Sequence, residues 1–160
     1  MSAAVTLQDA FRDVMASVCT PVSVVTTLAD GFPHGTTVSA FASLSMTPPM
    51  VLVSLDGRSR LLGMIRETGR FGLNVLGSDQ AELALTFARK GEARFADVAW
   101  EIQDEVPRLL GSGFVACGVN KLVDGGDHVV VMGGVLSAAP LAGAPLTYHA
   151  RSFGTHSGLS

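Results

Sequence analysis

From Val129 to Tyr148 the chain carries no charged side chain, yet Gly133, Gly134, Pro140, Gly143 and Pro145 interrupt it, with Ser137 between them. A helix that crosses a bilayer needs about 20 mainly apolar residues without repeated breakers. These breakers leave no room for one, so the stretch reads as a buried strand, a turn and another strand, and no membrane span is expected. The other apolar runs are equally short and end at similar punctuation. Residues 22–27, 34–41, 50–55, 71–76, 114–123 and 129–136 read as strands, with turns at Ala29-Asp30-Gly31 and Asp124-Gly125-Gly126 and a further short strand near Trp100.

Helices are few. Thr6 and Asp9 form a capping pair ahead of Leu7, Ala10, Phe11, Val14, Met15 and Val18, which recur on one helical face until Pro21. Ser59 reads as the cap of a second helix that carries Leu61, Leu62, Met64 and Ile65 inward and stops at Gly69. Ser78 is the expected cap of a third, rich in Ala and Leu, ending near Arg89-Lys90-Gly91. Strands and helices do not alternate regularly, and no Gly-x-Gly-x-x-Gly follows a strand. The expected architecture is therefore mainly β: an antiparallel barrel with about three peripheral helices, in one domain spanning residues 1–160.

Hydrophobic residues make up 48% of the chain and charged residues 16%, with a net charge of −3. That balance argues against nucleic acid, whose binders present a basic face. A surface this poor in charge is relieved by a subunit interface. Cys19 and Cys117 form no metal spacing or disulfide framework, and Cys117 lies in an apolar run as a small hydrophobe. Nothing at the N-terminus reads as a signal peptide, so a reducing cytoplasmic setting is expected.

Between His34 and Leu55 the chain groups Thr36, Thr37, Ser39, Ser43 and Ser45 around Val38, Ala40 and Phe41, then meets Pro48-Pro49 and an apolar strand. Small side chains let backbone amides approach a ligand, and hydroxyls both donate and accept. Such an uncharged polar wall suits a flat heteroaromatic ring with a phosphate at one end; a Thr/Ser-rich hairpin in an ordinary barrel has the same composition. No His-Glu-x-x-His, Gly-x-Ser-x-Gly or Cys/His cluster is present, and His34, His128, His149 and His156 are too dispersed for a metal site. An enzyme built on this chain would borrow its chemistry from a cofactor.

Five segments, in order, carry a family resemblance: Phe11-Arg12-Asp13-Val14-Met15; Val22 to Thr27; Gly35 to Phe41 with Ser45 and Pro48-Pro49; Phe87-Ala88-Arg89-Lys90 with Arg94-Phe95; and Gly126-Asp127-His128. Together they resemble the flavin reductases, the small components of two-component flavin monooxygenases. The resemblance implies an FMN-binding split barrel, a homodimer with flavin near its interface, FMN or FAD as the flavin, and NADH or NADPH as hydride donor. It implies a separate monooxygenase that receives reduced flavin. A split-barrel protein that binds flavin without catalysis is the alternative.

By the same resemblance Thr37, Val38, Ser39 and Ala40 line the isoalloxazine, Ser54 and Leu55 flank it, and Phe87 belongs to the cofactor-binding set. Ser59, Arg60 and Arg89 or Lys90 fall near the phosphate, where a helix start supplies free amides and a positive dipole end. Arg89 and Lys90 are equally accounted for as favourable charge at a helix C-terminus. His128 is the expected catalytic residue, placing the nicotinamide or stabilising reduced flavin, although a histidine after Gly-Asp also suits a plain turn. Phe153 covers the site or packs at a dimer interface. The chain departs from the family pattern at Thr20-Pro21 and in the basic triplet Arg58-Ser59-Arg60.

Overall fold

A computed structural model describes residues 3–91 and 94–160. Among these, seven antiparallel strands form the main sheet in the order β3-β2-β6-β9-β10-β5-β4. They are β2 (Ser23–Ala29), β3 (Phe32–Val38), β4 (Phe41–Met46), β5 (Pro49–Asp56), β6 (Arg70–Val75), β9 (Gly113–Gly125) and β10 (His128–Ala139). A small sheet joins β1 (Thr20–Pro21), β11 (Leu146–His149) and β12 (Ser152–Thr155), and β7 (Trp100–Gln103) pairs with β8 (Val106–Leu109).

One connection dictates the shape of the main sheet. β3 and β4 stand at opposite ends of the strand order, yet only Ser39 and Ala40 separate them in sequence. Laid flat, seven strands would hold their outer members roughly 29 Å apart. Two residues span only about 7 Å. The sheet therefore rolls so that its two end strands approach at this link, and the β4–β5 ladder runs on into it, the backbone amide of Ser54 on β5 donating to Ala40 O at 2.8 Å. Among the described residues no ladder joins β3 to β4, so the barrel is split.

Of three apolar clusters among the described residues, the two larger flank the strands β2 and β3. Inside the roll, Val25, Val38, Val53, Leu55, Phe71, Leu73, Cys117, Val129 and Val131 meet Leu61, Leu62 and Ile65 of α2 (Arg60–Thr68). Outside β2 and β3, α3 (Ala81–Ala88) packs Ala84 and Phe87 on Val22 and Val24. The roll leaves some positions no room for a side chain. A Cβ on Gly133 would lie 2.6 Å from Phe71 Cζ, beside one of two register shifts in β10. Cys117 is fully buried as expected, and burial pushes its thiol pKa up to about 12.

Sequence and structure differ at several points. The single strand expected over residues 34–41 is two strands broken at Ser39-Ala40, because closure turns the chain there. Ser78 does not cap α3; Gln80 occupies that position without a side-chain cap, its amide oxygen accepting instead from Gly77 N at 2.9 Å. α1 (Leu7–Ala16) forms with Thr6 Oγ1 accepting from Asp9 N, but among the described residues its apolar face is left largely uncovered: Leu7, Phe11, Val14 and Met15 are all exposed. No helix among the described residues is long and apolar enough to cross a membrane.

Candidate functional site

The seam that closes the barrel also opens a cleft of about 280 Å³. Its wall is the end of β3 and the link beyond it, Thr36, Thr37, Val38, Ser39 and Ala40, with Ser54, Leu55 and Asp56 of β5, and with Ser59 and His128 on either side of Asp56 in the fold. Ser39 and Ala40 are exposed and small. They leave main chain accessible to a flat ligand, as the sequence pattern anticipates.

Each wall residue is fixed from behind. Thr37 Oγ1 donates to Ala84 O of α3 at 2.5 Å, and Ser23 Oγ donates to Val38 O at 2.6 Å. A Cβ on Gly35 would come within 3.1 Å of the Phe87 ring, so this glycine lets α3 lie against β3. Nη1 of Arg94 reaches the same stretch, donating to Gly35 O at 2.6 Å and to Thr36 Oγ1 at 3.2 Å. Burial lowers the Arg94 pKa, and the nearby Arg60 charge lowers it further. Arg60 and Arg94 are thus near one another, although neither lines the cleft.

At the phosphate-like end, Ser59 caps α2 by accepting from Leu62 N at 3.0 Å. The first turn of any helix leaves amides without intrahelical partners, which favours an anion. His128 opens β10 and pairs in register with Asp56, the last residue of β5, whose carbonyl accepts from Ser59 N at 3.0 Å. Asp127 Oδ1 lies 2.8 Å from His128 Nδ1 and so orients the ring. The amide of Arg58, donating at 2.8 Å, and then its guanidinium hold the Asp56 carboxyl below its ordinary range.

Thr37, Val38, Ser39, Ala40, Ser54, Leu55, Ser59 and His128 thus come together in one cleft, although they lie up to 91 positions apart. Phe153 lines an adjoining cleft of about 330 Å³ that shares Thr37 and Ser39 and stands edge-on to Tyr148 at 5.2 Å. Arg60 begins α2 beside Ser59. Arg89 and Lys90 are exposed beyond the end of α3 and line neither cleft. Phe87 is 0% exposed, wedged between Gly35 and Phe95, and lines neither cleft, so its side chain backs the wall from behind. Sequence reasoning counted Thr36 in the hydroxyl-rich wall but gave no role of their own to Asp56 or Arg94. Arg94 stood within the Arg94-Phe95 signature, but its partners are 58 and 59 positions away.

The family model described as "Flavin reductase like domain" matches residues 15–157. This chain belongs to the flavin reductase family. It is 41% identical over 145 residues to the reductase component of 4-nitrophenol 4-monooxygenase/4-nitrocatechol 2-monooxygenase from Rhodococcus opacus, covering 90% of this chain and 78% of that protein. It is 39% identical over 153 residues to a flavin reductase (NADH) from Kitasatospora aureofaciens, covering 91% and 80%. The Streptomyces globisporus C-1027 NADH:FAD oxidoreductase in complex with NAD and FAD fragments superposes with a TM-score of 0.91 at 25% identity, covering 99% of each chain.

The cleft suits the group that the flavin reductase family implies. A tricyclic uncharged ring needs a flat, small-residue wall with local donors and acceptors, and Thr36 to Ala40 with Ser54 provide one. Leu55 and Val38 add apolar surface, while the α2 terminus, Arg60 and Arg94 place positive potential toward one end. Asp56, the single carboxylate lining the cleft, is engaged by Arg58.

Proposed function

We propose that this flavin reductase uses NADH to reduce FMN or FAD and passes the reduced flavin to a separate monooxygenase component. The observation that carries the reading is the convergence of Thr37 to Ala40, Ser54, Leu55, Ser59 and His128 on one backbone-walled cleft. Bound flavin supplies a ring able to accept a hydride. The chain's part is to hold that ring against the Ser39-Ala40 wall, leave its outer face open to a nicotinamide, and place His128 beside that face. Orientation of this kind is the main catalytic contribution open to a site without an acid–base pair. Asp127 keeps the imidazole turned, and Ser59 with the α2 amides receives the phosphate.

The working molecule is a homodimer in this reading. Leu7, Phe11, Val14, Met15 and Val18 present an apolar face that stays exposed among the described residues. Burying such side chains contributes about 1.5–3 kcal/mol each. Even half of that, from two copies, offsets much of the roughly 4–15 kcal/mol cost of association. Two thiols held apart, one buried and one exposed, fit a reducing cytoplasmic setting.

The decisive experiment measures NADH oxidation with and without added FMN or FAD, alongside release of flavin from the protein. Rapid turnover only with added flavin is expected. Background turnover with both flavins, despite tight flavin binding, would instead identify a binding protein.

A further inference from the structure

The open edge of β3 is held by something other than a strand. β2 flanks β3 along its whole length, and β3 ends the strand order, so no neighbouring strand pairs with its other side at Gly35 and Thr36. Arg94 fills that place. Its Nη1 donates to Gly35 O, to Thr36 Oγ1 and, at 3.4 Å, to Phe87 O at the end of α3. Gly35 and Thr37 face α3, whereas Thr36 projects from the opposite side of the strand, since successive residues alternate. A group that reaches a main-chain carbonyl, a hydroxyl from one face and the helix on the other therefore sits on the strand's rim. Among the described residues Arg94 Nε is buried without a hydrogen-bond partner, so the side chain gives up solvation to occupy this place.

We propose that Arg94 is a positioning residue: it stands in for the missing strand along the edge of β3 and fixes the wall from Thr36 to Ala40 against which flavin lies. The consequence for turnover rests on the flavin reductase reading; the effect on the strand does not. A lysine reproduces the role only in part: all three bonds leave from Nη1, and an ammonium also offers three donors, but its stem places that nitrogen differently from a guanidinium's.

The test compares Arg94→Ala, Arg94→Lys and Thr36→Val with the unaltered full chain. Arg94→Ala should raise the KM for flavin about tenfold or more while leaving kcat at saturating flavin within about twofold. Arg94→Lys should recover part of that loss, and millimolar guanidinium should restore part of it in Arg94→Ala. Should Arg94→Ala fail to fold, Thr36→Val removes one acceptor conservatively and should shift the flavin KM about threefold in the same direction. Hydrogen exchange without flavin should show faster amide exchange at residues 35–40 in Arg94→Lys and Thr36→Val, with the rest of the sheet unchanged.

Unchanged exchange at residues 35–40 would overturn the proposal, as would a folded Arg94→Ala with an unaltered flavin KM. An unaltered protein that fails to reduce flavin would overturn the functional reading alone, since the exchange result would still decide the role of Arg94.

Discussion

His128 is held by one neighbour and offers one free nitrogen. With Nδ1 engaged by Asp127, Nε2 is left for a partner at the cleft. His128→Ala should slow reduction of flavin by NADH, or raise the KM for NADH, by roughly two- to tenfold, the scale of one hydrogen bond of about 0.5–1.5 kcal/mol. Stopped-flow reduction reads this directly, with flavin affinity expected to change less. An unaltered rate and nicotinamide affinity would make His128 a turn residue only. Ala40 tests the wall by bulk, because its exposed methyl leaves room that an indole would fill. Ala40→Trp should abolish detectable flavin binding while far-ultraviolet circular dichroism stays unaltered; retained affinity would move the site elsewhere.

At the scale of elements, α1 is the informative one. Its sequence is amphipathic and its cap forms, yet the apolar face stays exposed among the described residues. The helix is tied to the loop after β11, where Ala150 N donates to Ala16 O at 2.9 Å and Arg151 Nη2 lies 4.0 Å from Asp13 Oδ1. Helices this short rarely persist in water without tertiary packing. A second copy supplies that packing in the dimeric reading, so Phe11→Asp should shift the molecule toward monomer in analytical ultracentrifugation at micromolar concentration. A dimer as tight as the unaltered one would place the interface away from α1. α2 shows the contrary case: Leu61, Leu62 and Ile65 are buried to within 1% exposure, and its register and cap were both legible from Ser59 to Gly69.

Across the whole molecule, stability should bend downward in alkali. The Cys117 thiol is held neutral in the fold, its pKa pushed from 9.0 to about 12 by burial. The unfolded chain releases that proton first, so this contribution is complete below about pH 9 and is lost as pH rises toward 12. The slope is at most about 1.4 kcal/mol per pH unit. Denaturant melts from pH 8 to 10.5 should therefore fall more steeply for the unaltered protein than for Cys117→Ala. Parallel curves would show that the thiol does not titrate on unfolding.

Local chemistry decided what the sequence could determine alone. Strand runs ended by Gly, Pro and Asp, the capped α1 and α2, the small hydroxyl-rich stretch at 36–40 and the buried Cys117 all follow from side-chain size, branching and period. Those signals act over a few residues. The break of one expected strand at Ser39-Ala40 followed from ring closure, a constraint set by the distance between β3 and β4 in the rolled sheet. Phe87 sits beneath Gly35, 52 positions away, and lines neither cleft, because α3 lies on the outer face of β3. Arg94 became legible only once folding had left one edge of β3 without a strand. Sequence sets which groups are available, but an edge, a seam and a buried back wall are properties of segments brought together by long-range packing.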